Sequence, residues 1–171
     1  MDQQLERYLN DHLAGSSGAI LMIQNFAETV EHPEARDFFI KLKQDVENDR
    51  ELLKRLLETA GMRSSTVLNV AGDLTARVGF LKLMWEGFEP GKLGLFEGLE
   101  MLALGVQGKR LLWLALQEIS AWYPEWSDVD FRELELEAIK QRDGVEFWRI
   151  EAARDALPDI DRRTRALEKV G

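Results

Sequence analysis

Two histidines and no cysteine bound the chemistry open to this chain. Without thiols there are no disulfides, thiolate metal sites or cysteine nucleophiles, and a reducing cytoplasm is the expected compartment. A helix that grips an ion with a carboxylate and an imidazole needs them three residues apart, because that interval puts both on one face. Neither His12 nor His32 has an acid at that distance, since those positions are Leu9 and Thr29. Hydrolysis fares no better. His12 lies beside Asp11 and near Ser16, but adjacent helical residues point apart. There is no Gly-x-Ser-x-Gly elbow, and no phosphate-binding glycine loop between a strand and a helix.

Two polar groupings remain. Glu97 and Glu100 with Glu133 and Glu137 would make an all-carboxylate site for iron or manganese, although charges at this spacing also describe a solvated helix face. Asp49 and Arg142 fall on otherwise apolar helical stripes. An arginine fork can take a carboxylate with two parallel hydrogen bonds, which predicts a buried Asp49–Arg142 pair across the core, the alternative being a surface Asp49.

The elements that carry these residues are helical throughout. Alternating steps of three and four through His12, Gly15, Ala19, Met22 and Phe26 predict a first helix from about Gln3 to Glu31. Pro33 breaks it and suits the first turn of a second helix, which carries Phe39, Leu42, Val46, Asp49, Leu53 and Leu56 inward and stops at Gly61. A shorter helix is expected from Val67 to Glu86, with Leu68, Ala71, Leu74, Val78 and Leu81 inward and Gly72 and Gly79 weakening it. Lys92 to about Trp122 forms the next. Asp128 or Asp130 caps a last helix from Phe131 to Leu157, with Phe131, Leu134, Ala138, Arg142 and Val145 inward. The domain is single, residues 1–171, with a helical core over about 5–157 and a charged tail over 158–171 that is either frayed helix or loose arm.

A repeat underlies this order. Gly15-Ser-Ser-Gly18-Ala-Ile-Leu-Met-Ile and Gly105-Val-Gln-Gly108-Lys-Arg-Leu-Leu-Trp lie ninety residues apart, each followed by a glutamate at one offset, Glu28 and Glu118. The segment from Gly18 to Phe39, with its helix end, His32-Pro33 turn and helix start, resembles the ferritin-like superfamily, and in outline the likeness covers residues 5 to 157. The resemblance implies an all-α, ferritin-like antiparallel four-helix bundle of two hairpins joined by a shorter crossover helix. It also implies a dimetal core of Glu and Glu-x-x-His ligands. On that frame the ligand positions hold Gly18, Val46, Asp49, Gly108, Ile139 and Arg142, and the chain has no Glu-x-x-His. The expectation is therefore a metal-free, cofactor-free binding or assembly module with the Asp49–Arg142 pair in place of the metals. The alternative is a metal-dependent oxidoreductase or metal store using the displaced glutamates.

Glycine in a helix interior costs about 1 kcal/mol relative to alanine, so these glycines need a reason. Close helix packing is the expected one; the other is a pocket left by Gly18 and Gly108, with Lys109 and His12 as contacts for a small acid or lipid. Trp122, Tyr123, Trp126 and Trp148 suggest an aromatic corner for a homodimer, or for internal burial. With 31 acidic against 22 basic residues, nucleic acid and anionic membranes are poor partners. Met1-Asp-Gln-Gln-Leu-Glu-Arg lacks the apolar core of a signal peptide, and the apolar runs fall short of the roughly 20 residues of a membrane span.

Overall fold

The computed structural model describes residues 3–64, 91–159 and 162. Among them are four long helices, α1 (Gln3–Thr29), α2 (Pro33–Thr59), α3 (Lys92–Ile119) and α4 (Phe131–Ala156), and no strand. None of these helices is long and apolar enough to cross a membrane. The segment Val67 to Glu86, expected as the crossover helix, and most of the charged tail lie outside the described residues.

Local chemistry sets the helix ends. Pro33 holds His32 extended (φ −75°, ψ 119°) and occupies the first turn of α2, while the Arg36 guanidinium donates to the Val30 carbonyl at 3.2 Å across the turn. Gly61 closes α2 with φ 69°, donating to the Glu58 carbonyl as Met62 donates to that of Leu57. Buried Met62 packs with Leu57, which completes a Schellman ending. Asp130 caps α4 by accepting from the Glu133 amide at 3.0 Å. The third helix stops at Ile119 instead of Trp122, because the chain tightens into two 3-10 turns, Ser120–Trp122 and Pro124–Trp126. These turns carry the buried Trp126 under α2, where its indole donates to the Leu56 carbonyl at 3.0 Å and Tyr123 stacks on its face at 4.2 Å.

The core is divided in two. Leu9, Leu13, Leu56, Leu57, Leu112, Trp113 and Phe131 fill one end of the bundle; Ile23, Phe26, Phe39, Leu42, Leu99, Leu102 and Val145 fill the other. The beginning of α1 thus meets the end of α3, and the end of α2 meets the beginning of α4, so neighbouring helices run antiparallel. It follows that α2 and α3 are parallel. Ser64 and Gly91, which follow α2 and precede α3, accordingly lie toward opposite ends of the bundle, about 40 Å apart for helices of this size.

Two expectations are corrected. The buried stripe of α1 is Leu9, Leu13, Gly18, Ile23 and Phe26, whereas His12, Gly15, Ala19 and Met22 lie one step around the helix and are only half-buried or exposed. In α4 the buried residues are Phe131, Glu135, Ala138, Gln141 and Val145; Leu134 is half-buried and packs on the core as expected, but Gln141 takes the inward place expected of Arg142. The aromatic corner also divides. Trp126 is internal, Trp148 lies at the opposite end beside His32 at 5.3 Å, and of the four residues Trp122 alone is fully exposed.

Close helix approach does occur at Gly144, where an added Cβ would lie 2.3 Å from Cε2 of Phe38. Overpacking of this kind costs about 1–3 kcal/mol, against the roughly 1 kcal/mol that alanine gains as a helix former. Gly144→Ala is expected to lower the urea unfolding midpoint of the native chain but to raise it in a Phe38→Ala background. A double-mutant cycle reads the coupling directly.

Candidate functional site

Between the two halves of the core lies a cavity of about 450 Å³. Its floor is apolar, formed by Val46, Leu53, Leu102, Val106, Leu112 and Trp113, all buried. Its mouth opens between α1 and α3, where Tyr8, Asp11, Gly15 and Gly105 are exposed. The hollow exists because the facing helices lack side chains there. A Cβ added to Gly15, Gly105 or Gly108 would meet nothing within 4 Å. The close packing expected at Gly108 is therefore absent. Gly18 is buried but does not line the cavity, because it falls on the packed stripe of α1.

The polar wall runs across three helices. Lys109 Nζ lies 2.5 Å from the Asp49 carboxylate and also donates to Oε1 of Gln141, so α2, α3 and α4 are tied at mid-bundle. The side chains of Lys109 and Asp49 are 13% and 17% exposed, and burial pushes the Asp49 carboxyl up despite the lysine beside it. This overturns the Asp49–Arg142 pairing. Leu102, Val106, Lys109 and Trp113 form one inward face of α3, and on α4 the inward residue is Gln141. Arg142 is turned about 100° further round. It binds Asp143 at 2.7 Å and Gln107 at 3.1 Å instead.

His12 stands at the other wall, edge-on to Tyr8 at 4.8 Å. Burial holds its imidazole below the usual range, with Asp11 opposing the shift. Arg50 completes the lining. Its Nη1 donates to the Leu13 carbonyl at 2.6 Å and to the hydroxyls of Ser16 and Ser17 at 2.7 and 2.6 Å. Among the described residues it has no carboxylate partner. In the sequence Arg50 reads as a surface charge beside Asp49, a bridging partner at most and not a lining residue. The signal that could have exposed it is Ser16-Ser17 on α1, two hydroxyls on a helix that otherwise buries leucine and phenylalanine. Trp113 adds an indole N–H that is buried without an acceptor among the described residues, a cost of about 1–3 kcal/mol.

The four glutamates expected to form the alternative metal site do not converge. Glu100 accepts from Arg149 at 3.1 Å and Glu137 from Lys140 at 2.5 Å, while the antiparallel run of α3 and α4 separates the two pairs toward opposite ends. Among the described residues no three His, Asp or Glu side chains gather in a way that could hold a metal ion. Glu135, missed in the sequence, is buried and binds Arg110 at 2.8 Å, which ties α3 to α4.

Two measurements check this electrostatic picture. Lys109→Met strands a largely buried carboxylate and is expected to cost about 3 kcal/mol by urea denaturation, most of it recovered in Lys109→Met with Asp49→Leu. His12 binds protons more weakly folded than unfolded, so its contribution is intact above pH about 6.5 and is lost as the pH falls through its lower folded value. The acid-side loss of stability between pH 7 and 5 should accordingly be smaller in His12→Gln. Compared with protein-family models, characterised proteins and solved structures, the chain matches none.

Proposed function

We propose that this chain is a non-catalytic, ferritin-like helical bundle that works as a small-molecule binding module, with the glycine-walled cavity as its ligand site. One observation carries the reading: Gly15, Gly105 and Gly108 border the same empty space from two helices. Each costs about 1 kcal/mol relative to alanine in a helix interior, and natural interiors are otherwise packed to the density of organic crystals. A hollow maintained at that cost between two well-filled half-cores is suited to a guest. Its size falls in the usual range for ligand pockets, and its lining has the usual character, an apolar floor with a few polar groups.

The ferritin-like element of the reading is supported by the order hairpin, long connection, hairpin with antiparallel neighbours, the arrangement of bundles with one crossover. Asp49, at one of that frame's ligand positions, is bonded at mid-bundle to Lys109, which also reaches Gln141. A lysine already bound to the carboxylate competes with any cation for it, which favours binding over metal chemistry.

The test is a titration with N-phenyl-1-naphthylamine, a neutral apolar dye that fluoresces on leaving water. The native chain is expected to bind one equivalent, and Gly108→Leu to abolish binding while melting at a higher temperature, since its side chain fills the void and stiffens the helix. Dye binding that is absent, or that survives Gly108→Leu unchanged, overturns the reading.

A further inference from the structure

We propose that the cavity selects a monocarboxylic acid of roughly ten to fifteen heavy atoms in all, apolar apart from its carboxylate, and that Arg50 is the residue that takes that carboxylate. This rests on the ligand-site reading above and adds the chemical class of the ligand.

The inference begins with how Arg50 is held. Three oxygens, the Leu13 carbonyl and the Ser16 and Ser17 hydroxyls, converge on Nη1 alone, and the two hydroxyls in turn donate to the same carbonyl. That arrangement fixes the guanidinium plane from one corner. Nε and Nη2 make no hydrogen bond among the described residues, and together they form the edge whose parallel N–H groups match a carboxylate. A neutral anchor leaves the full positive charge unopposed. Arg50 therefore brings a positive charge to the pocket wall with hydroxyl and carbonyl partners and, among the described residues, no acid.

The other charges in the cavity narrow the ligand further. Lys109 is already neutralised by Asp49 and bonded to Gln141, so it offers little to a second anion. With Lys109 and Asp49 cancelling each other, Arg50 is, among the described residues of the wall, the one cation left to a ligand, and Asp11 at the mouth opposes a second negative charge such as that of a phosphate monoester. One negative charge is what remains to be matched. The rest of the wall is aliphatic and aromatic. At about 30 Å³ for a heavy atom with its hydrogens, taken as the share of a water molecule in the liquid, 450 Å³ holds on the order of fifteen such atoms. A linear acid such as decanoate fits that volume, its tail on the Val46, Leu102 and Val106 floor.

Competition against the neutral dye tests this. Decanoate is expected to displace N-phenyl-1-naphthylamine from the native chain at least tenfold more tightly than decan-1-ol, and decyltrimethylammonium to displace it more weakly than either. In Arg50→Gln the ratio of decanoate to decan-1-ol affinity should fall to about one, whatever the dye affinity of the variant; Arg50→Lys should keep some of the preference. If Arg50→Gln fails to fold, the comparison of acid, alcohol and cation on the native chain still decides. Should the dye bind and be blocked by Gly108→Leu while decanoate shows no advantage over decan-1-ol, the carboxylate assignment is overturned and the cavity reading stands. Should the dye itself not bind, both fall together.

Discussion

Missing side-chain volume at mid-bundle is the constraint on which the rest of this structure depends. Opposing helices normally interdigitate along their whole length, but α1 and α3 present Gly15, Gly105 and Gly108 to the same region, and the hydrophobic core divides there into two. Burial of leucine, phenylalanine and tryptophan at each end supplies the cohesion that the centre lacks, at about 25 cal/mol per Å² of apolar surface removed from water. The two half-cores hold the helices at a fixed separation, and the separation keeps the hollow open.

A divided core admits polar groups where a continuous one would exclude them. Asp49, Lys109 and Gln141 bond across three helices beside the cavity, and Arg50 rests on the hydroxyls and carbonyl of α1 on its far side. Desolvation still weighs on the pair, as the upward shift of Asp49 shows. Such a pair contributes position more than stability. Removing one partner leaves a stranded charge, so register between α2, α3 and α4 is specified by groups that add little net energy. Arg110 and Glu135 fix α3 against α4 in the same manner.

Gly144 shows the opposite use of the same residue. There the absent Cβ admits the Phe38 ring from α2, and the helices close on each other. At Gly108 nothing enters. Glycine thus serves in a single bundle both as a site of close approach and as the wall of a void, with the difference set by what the neighbouring helix offers at that height.

Three helix boundaries were legible in the residues because each is fixed by chemistry within a few positions along the chain: the fixed φ of Pro33, the left-handed freedom of Gly61, and an aspartate, Asp128 or Asp130, before the first turn of α4. The end of α3 at Ile119 was set instead by the 3-10 turns that carry Trp126 into the core. The apolar face of α2 was equally clear, since Phe39, Leu42, Val46, Leu53 and Leu56 repeat without ambiguity. Periodicity failed at the polar positions of α3 and α4. Gln141 and Arg142 are adjacent, and a rotation of about 100° decides which enters the core; a one-dimensional stripe tolerates either. Only packing against α3 selected Gln141 and gave Asp49 to Lys109. The same holds for the glycines. A sequence records that a side chain is absent, whereas whether a neighbour fills the space depends on residues distant in the chain, and that is a property of the assembled bundle alone.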